Sequence, residues 1–74
     1  MQVDFWPAVA AYDSALRVNP DLAAAHYNRA TVLYRMGSFA EAEAGFLRAL
    51  NLERGNVEFQ EGLAACRKCL LRPT

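Results

Sequence analysis

Shifted by 34 residues, the sequence falls onto itself. The stretch FWPAVAAYDSALRVN (Phe5–Asn19) overlays FAEAEAGFLRALNLE (Phe39–Glu53), so that Phe5 meets Phe39, Ala8 meets Ala42 and Tyr12 meets Phe46. Ala15 and Leu16 then meet Ala49 and Leu50, Val18 meets Leu52, and a fainter echo pairs Ala30 with Ala64. A period of this size constrains the fold more than any other feature of the chain. A short recurring unit cannot bury its apolar face alone, so it must stack against its neighbours. Within each segment the apolar residues follow helical spacing: Phe5, Ala8, Val9, Tyr12, Ala15 and Leu16 in one, Phe39, Ala42, Phe46, Ala49 and Leu50 in the other. Period-two alternation is nowhere sustained and β-branched residues are sparse, so the expected class is all-α.

The punctuation divides the chain into four helices. Asp4 is placed to cap the first, with Pro7 tolerated in its first turn, and Asn19-Pro20-Asp21 ends it. A second helix is predicted from about Leu22 to Met36, stopped by Gly37 in a left-handed cap. Ser38-Phe39-Ala40-Glu41 matches the reciprocal capping box and opens a third, which Gly55 closes. Asn56 caps a fourth, ending before Pro73. Loops this short make neighbouring helices antiparallel, within a single domain over 1–74.

In this register the sequence resembles the tetratricopeptide repeat family, an α-solenoid of antiparallel helix-turn-helix repeats. Residues 23–56 read as one complete repeat, with Asn28-Arg29-Ala30 in the small-residue contact region and Gly37 at the inter-helix turn. The Asn-Arg-Ala triplet is frequent in co-chaperone members. Residues 4–22 look like the second half of a preceding repeat, and 57–71 like a following first helix or a capping helix. Two departures, Arg54 for proline and Arg67 for a large apolar residue, point to a cap whose outer face meets solvent. The resemblance implies the C-terminal part of a longer array, or a homo-oligomer closing its core through an apolar edge of Phe5, Trp6, Val9 and Tyr12.

The family's concave groove maps here onto Ala24, Tyr27, Asn28, Thr31, Tyr34 and Arg35, a polar and aromatic stripe suited to a peptide or protein ligand. One branch of the family clamps an acidic peptide terminus. Asn28 fits that clamp, but Glu58 and Gly62 stand where lysine and arginine are required, so no clamp of this kind is expected. The expected function is therefore a protein–protein interaction scaffold. The alternatives are a self-associating structural segment and a regulatory appendage of a larger protein.

Other classes are argued against by composition and spacing. Eight basic residues balance eight acidic ones without forming a basic stripe, so nucleic acid is not an expected ligand. No apolar run approaches the roughly 20 residues of a membrane span, and the N-terminus does not read as a signal peptide. Cys66 and Cys69, too close in sequence to staple distant segments, suit a reducing cytoplasmic setting. Their lone C-x-x-C lacks a second pair for zinc, and His26 lies far away in sequence, so both thiols and the imidazole are expected to pack rather than to bind metal. Glu41, Glu43 and Glu53 on one helix, and Ser14 and Ser38 without a base, form no catalytic set; Gly37, Gly45, Gly55 and Gly62 form no phosphate loop. Neither an enzyme nor a cofactor is expected. Gly45 is the local anomaly: a mid-helix glycine costs about 1 kcal/mol relative to alanine, a cost consistent with a close helix contact.

Overall fold

The computed structural model describes residues 6–71. Among these residues there are four helices and no strand: α1 (Trp6–Val18), α2 (Ala23–Met36), α3 (Phe39–Leu52) and α4 (Val57–Leu71). Asp4, Phe5 and Pro73 lie outside the described residues. Each helix packs on the next through a short connection, and α2 also meets α4, whereas α1 meets α2 alone.

The turns show how local chemistry produces this path. After α1, the Asn19 side-chain carbonyl accepts the Asp21 N–H at 3.1 Å. The carbonyl of Pro20 accepts the His26 Nε2–H at 2.8 Å, which ties the corner to the buried imidazole and fixes its tautomer. Gly37, with φ of 88°, ends α2 in the left-handed region. Its N–H bonds Tyr34 O at 3.1 Å and the Ser38 N–H bonds Leu33 O at 2.9 Å, the paired closure of a Schellman motif.

That closure overturns the expected capping box. The box needs a free Ser38 N–H for Glu41 to accept, and α2 has already taken it; the Ser38 side chain makes no cap bond either. Gly55 is a second correction, because α3 stops at Leu52 and only Gly37 among the described glycines has positive φ. Asn56 caps α4 as expected, its Oδ1 accepting the Phe59 N–H at 3.1 Å. Gln60 Nε2 donates to the Arg54 carbonyl at 2.9 Å, which secures the turn where proline was missing.

The core lies where α2, α3 and α4 converge. Ala30, Leu33, Ala42, Phe46, Leu63 and Cys66 form one buried cluster that Val9 of α1 joins; Ala23, Ala49 and Phe59 form a second. Burying a side chain such as Phe46 or Leu33 contributes roughly 1.5–3 kcal/mol. Gly45 allows a close approach of α2 to α3: a Cβ there would fall 2.8 Å from the Ala30 Cβ and 3.4 Å from the His26 carbonyl oxygen. The helix-propensity cost of this glycine is thus offset by the approach of α2 to α3.

Candidate functional site

Because α2 touches α4 alongside α3, the two helices flank a concavity floored by α3. Tyr27, Thr31, Tyr34 and Arg35 line it from α2, Gly62 and Ala65 from α4, and Phe46 from below, around a volume of about 230 Å³. Gly62 makes the floor possible, since a Cβ there would fall 2.6 Å from Phe46 Cε1. The lining is mainly carbon, with the exposed Arg35 guanidinium at the rim.

The α2 residues differ in how firmly they are held. Tyr27 stacks on Phe59 with ring centroids 4.9 Å apart and tilts against Phe46 at 5.7 Å. Its ring is therefore partly core, and removing it would disturb the fold as well as the surface. Thr31 Oγ1 donates to the Tyr27 carbonyl at 2.9 Å, which leaves its methyl group as its apolar part. Tyr34 meets Phe39 edge-on at 5.4 Å, and its hydroxyl lies 3.5 Å from Cys69 Sγ. Ala24 and Asn28 are exposed and do not line this concavity.

Phe46, Gly62 and Ala65 were missed from sequence. The signal that finds two of them is the 34-residue shift itself: Asn28 maps to Gly62 and Thr31 to Ala65. The Asn-Arg-Ala triplet separates in three directions. Asn28 is exposed, Ala30 sits under Gly45, and Arg29 Nε bonds Asp13 Oδ1 of α1 at 2.6 Å. That pair helps line a second, more polar cleft of about 390 Å³, with His26, Glu41 and Arg48.

The proposed apolar edge of α1 is also divided. Val9 is buried in the core, because its face of α1 is the one that packs on α2, so it belongs to no exposed edge. Trp6 is exposed and Tyr12 half-buried, while Phe5 lies outside the described residues.

The two thiols occupy different environments. Cys66 is buried and donates from Sγ to the Phe39 carbonyl at 3.0 Å. Burial, then the Glu43 carboxylate and Cys69, push its pKa up, and neighbouring Arg67 only partly opposes them. Glu43 is not simply a solvated acid, since its Oε2 accepts from Arg67 Nε at 3.1 Å, bridging α3 and α4. Glu53 lies just beyond the end of α3. Among the described residues, no cluster of three or more His, Cys, Asp or Glu is arranged to hold a metal, and no helix is long and apolar enough to cross a membrane.

Two family models match the chain. One, described as TPR repeat, covers residues 7–37; the other, Tetratricopeptide repeat, covers residues 23–56. They overlap across α2, and α4 lies beyond both. No curated protein and no solved structure gives a significant match.

Proposed function

We propose that this chain, which belongs to the tetratricopeptide repeat family, binds a peptide segment of a partner protein in the α2–α4 concavity. Repeats of this family mediate protein–protein interaction and are typically non-catalytic. The observation that carries the finer reading is the convergence of Tyr27, Thr31, Tyr34 and Arg35 with Gly62 and Ala65 over the Phe46 ring. A hollow of about 230 Å³ has room for one large side chain. Small-molecule pockets run from about 300 Å³ upward.

The partner chemistry follows from the lining. An aliphatic or aromatic side chain fills the carbon-walled hollow, and a carboxylate beside it meets Arg35 in a charge-assisted hydrogen bond. Exposed Glu58 and Glu61 on α4 oppose a peptide with several acids, so the fitting motif is apolar with a single acidic neighbour. Ala24 and Asn28 extend the same helix toward flanking backbone. The function is recognition on a preformed surface, with no chemical step and no cofactor. Two free thiols, Cys66 and Cys69, too close in sequence to staple distant segments, support a cytoplasmic setting.

The test is selection from a random peptide library on the native chain, followed by Ala65→Arg and Arg35→Glu. Both positions are exposed, so circular dichroism should be unchanged. Ala65→Arg should abolish binding of the enriched peptides, and Arg35→Glu should exchange the acidic preference for a basic one. If enriched peptides bind both variants as they bind the native chain, the concavity is not the site.

A further inference from the structure

The second, more polar cleft has a shape and a charge pattern of its own. α1 and α3 each pack on α2 without packing on one another, so they stand as two walls with α2 between them. At about 390 Å³ the cleft exceeds the roughly 300 Å³ at which small-molecule pockets begin. It shares no lining residue with the α2–α4 concavity.

Its two ends differ in charge. Arg29 bonds Asp13 at 2.6 Å, and His26 Nε2 donates to the Pro20 carbonyl at 2.8 Å. As its numbers rise, α2 therefore runs past α1 from the Pro20 end to the Asp13 end. α3 is antiparallel to α2, with Gly45 against Ala30 and the His26 carbonyl. Glu41 thus falls at the Asp13–Arg29 end, and Arg48 at the Pro20–His26 end. A smaller hollow of about 220 Å³ continues the cleft past Arg48, joining Pro20, His26 and Arg48 to Asn51 and Leu52. Seven residues of helix, at about 1.5 Å each, set Glu41 and Arg48 about 10 Å apart along α3.

The chain itself satisfies only one of the charge pairs lining this cleft. Arg29 and Asp13 neutralise each other, whereas Glu41 and Arg48 make no ion pair or side-chain hydrogen bond among the described residues. No opposite charge stands three or four residues from either of them on α3, and they are too far apart to meet one another. The wall between them is aliphatic: Leu16 lies between Asp13 and Pro20 on one side, and Ala44 between Glu41 and Arg48 on the other.

We propose that this cleft binds a carboxylate and an ammonium group joined by an aliphatic chain, and that its occupant is the C-terminal lysine of a peptide. The carboxylate meets the guanidinium of Arg48 in charge-assisted hydrogen bonds. The ammonium meets Glu41, and the stem lies across Leu16 and Ala44. Free lysine carries the same groups, but its α-ammonium would stand beside the carboxylate and repel Arg48. In a peptide an amide replaces that ammonium, and the preceding residue lies in the adjoining hollow beside Asn51 and Leu52. Glu41 and Arg48 are both exposed, so binding is weak and falls as salt rises. The site is separate from the α2–α4 concavity and does not depend on the function proposed above.

Titration of the isotope-labelled native chain, followed through its backbone amide resonances, tests the site. The probe ε-aminocaproate should shift His26, Ala44 and Gly45. Caproate and hexylamine, which each lack one of its charges, should bind at least about tenfold more weakly. Arg48→Gln should erase the distinction between ε-aminocaproate and hexylamine, and Glu41→Gln that between ε-aminocaproate and caproate. Both positions are exposed, so circular dichroism should be unchanged. Acetyl-glycyl-lysine should bind more tightly than ε-aminocaproate or free lysine and extend the shifts to Asn51 and Leu52. Resonances that do not move, analogues that bind as well as ε-aminocaproate, or variants that keep the native discrimination would each overturn the proposal. Acetyl-glycyl-lysine binding no better than ε-aminocaproate would overturn the peptide as the occupant.

Discussion

The helices α1 and α3 share a sequence pattern and differ in burial. In α3, Ala42, Phe46 and Ala49 are buried, while the matching Ala8, Tyr12 and Ala15 of α1 are only half-covered. The difference lies in their neighbours: α3 is held between α2 and α4, and α1 leans on α2 alone. A helical apolar stripe therefore specifies what a helix can bury, and the number of helices around it decides how much is buried. Equivalent substitutions in the two helices should consequently have unequal effects.

The sharpest contrast is between Phe46→Ala and Tyr12→Ala. Phe46 is 2% exposed and packs against Tyr27 beneath Gly62. Truncating a buried aromatic costs about 3–5 kcal/mol, a large part of the stability of any domain this small. Half-buried Tyr12 should cost about 1 kcal/mol, the usual size for a point substitution. Urea denaturation followed by circular dichroism measures both, and equal losses would contradict the account of α1 as the less supported helix.

Next come Gly45→Ala and its counterpart Ala11→Gly. Alanine at 45 improves helix propensity by about 1 kcal/mol, yet its Cβ would meet Ala30 Cβ at 2.8 Å in a tightly packed contact of the core. Overpacking typically costs about 1–3 kcal/mol, so the substitution should be net destabilising. Ala11→Gly, at an exposed position, should lose only the propensity difference of about 1 kcal/mol. A stabilised Gly45→Ala chain would mean that α2 and α3 can separate freely.

These residues also show what was legible beforehand. Helix number, the α1–α2 and α2–α3 boundaries, the Asn56 cap and the close approach at Gly45 all follow from short-range spacing and turn chemistry. The capping box misled because one backbone N–H, that of Ser38, can serve either helix, and the Schellman closure of α2 claims it. Val9 misled because helical periodicity marks an apolar face without saying which neighbour covers it. The stripe from Tyr27 to Arg35 was legible as a face of α2. Its floor and far wall needed the placement of α3 and α4, although shifting the stripe by one repeat reaches Gly62 and Ala65.

The two inter-helix ion pairs extend the comparison at smaller scale. Arg29–Asp13 ties α2 to α1 at 2.6 Å, and Arg67–Glu43 ties α4 to α3 at 3.1 Å. Both retain solvent contact, so double-mutant cycles should return about 0.2–1 kcal/mol each. The coupling should be greater for Arg29–Asp13, whose guanidinium is the less exposed and which reinforces the thinner α1 interface. A larger coupling at Arg67–Glu43 would reverse that order.

The smallest effect separates Cys66 from Cys69, one helical turn apart. Burial, aided by Glu43, raises the Cys66 pKa in the folded chain above its unfolded value. The neutral thiol is therefore the form the fold favours. Its contribution to stability is fully present below the unfolded pKa and declines as pH rises through the folded pKa, so the loss belongs to the alkaline side. Cys66→Ala should flatten that alkaline decline, and Cys69→Ala should not. Labelling with iodoacetamide in mildly alkaline buffer gives a kinetic counterpart, because thiolate and access are both required. Partly exposed Cys69 should take up the first adduct, and the second should wait for α4 to open. Simultaneous double labelling would mean that α4 detaches as readily as it exposes Cys69, and that the α3–α4 interface is no firmer than the one holding α1.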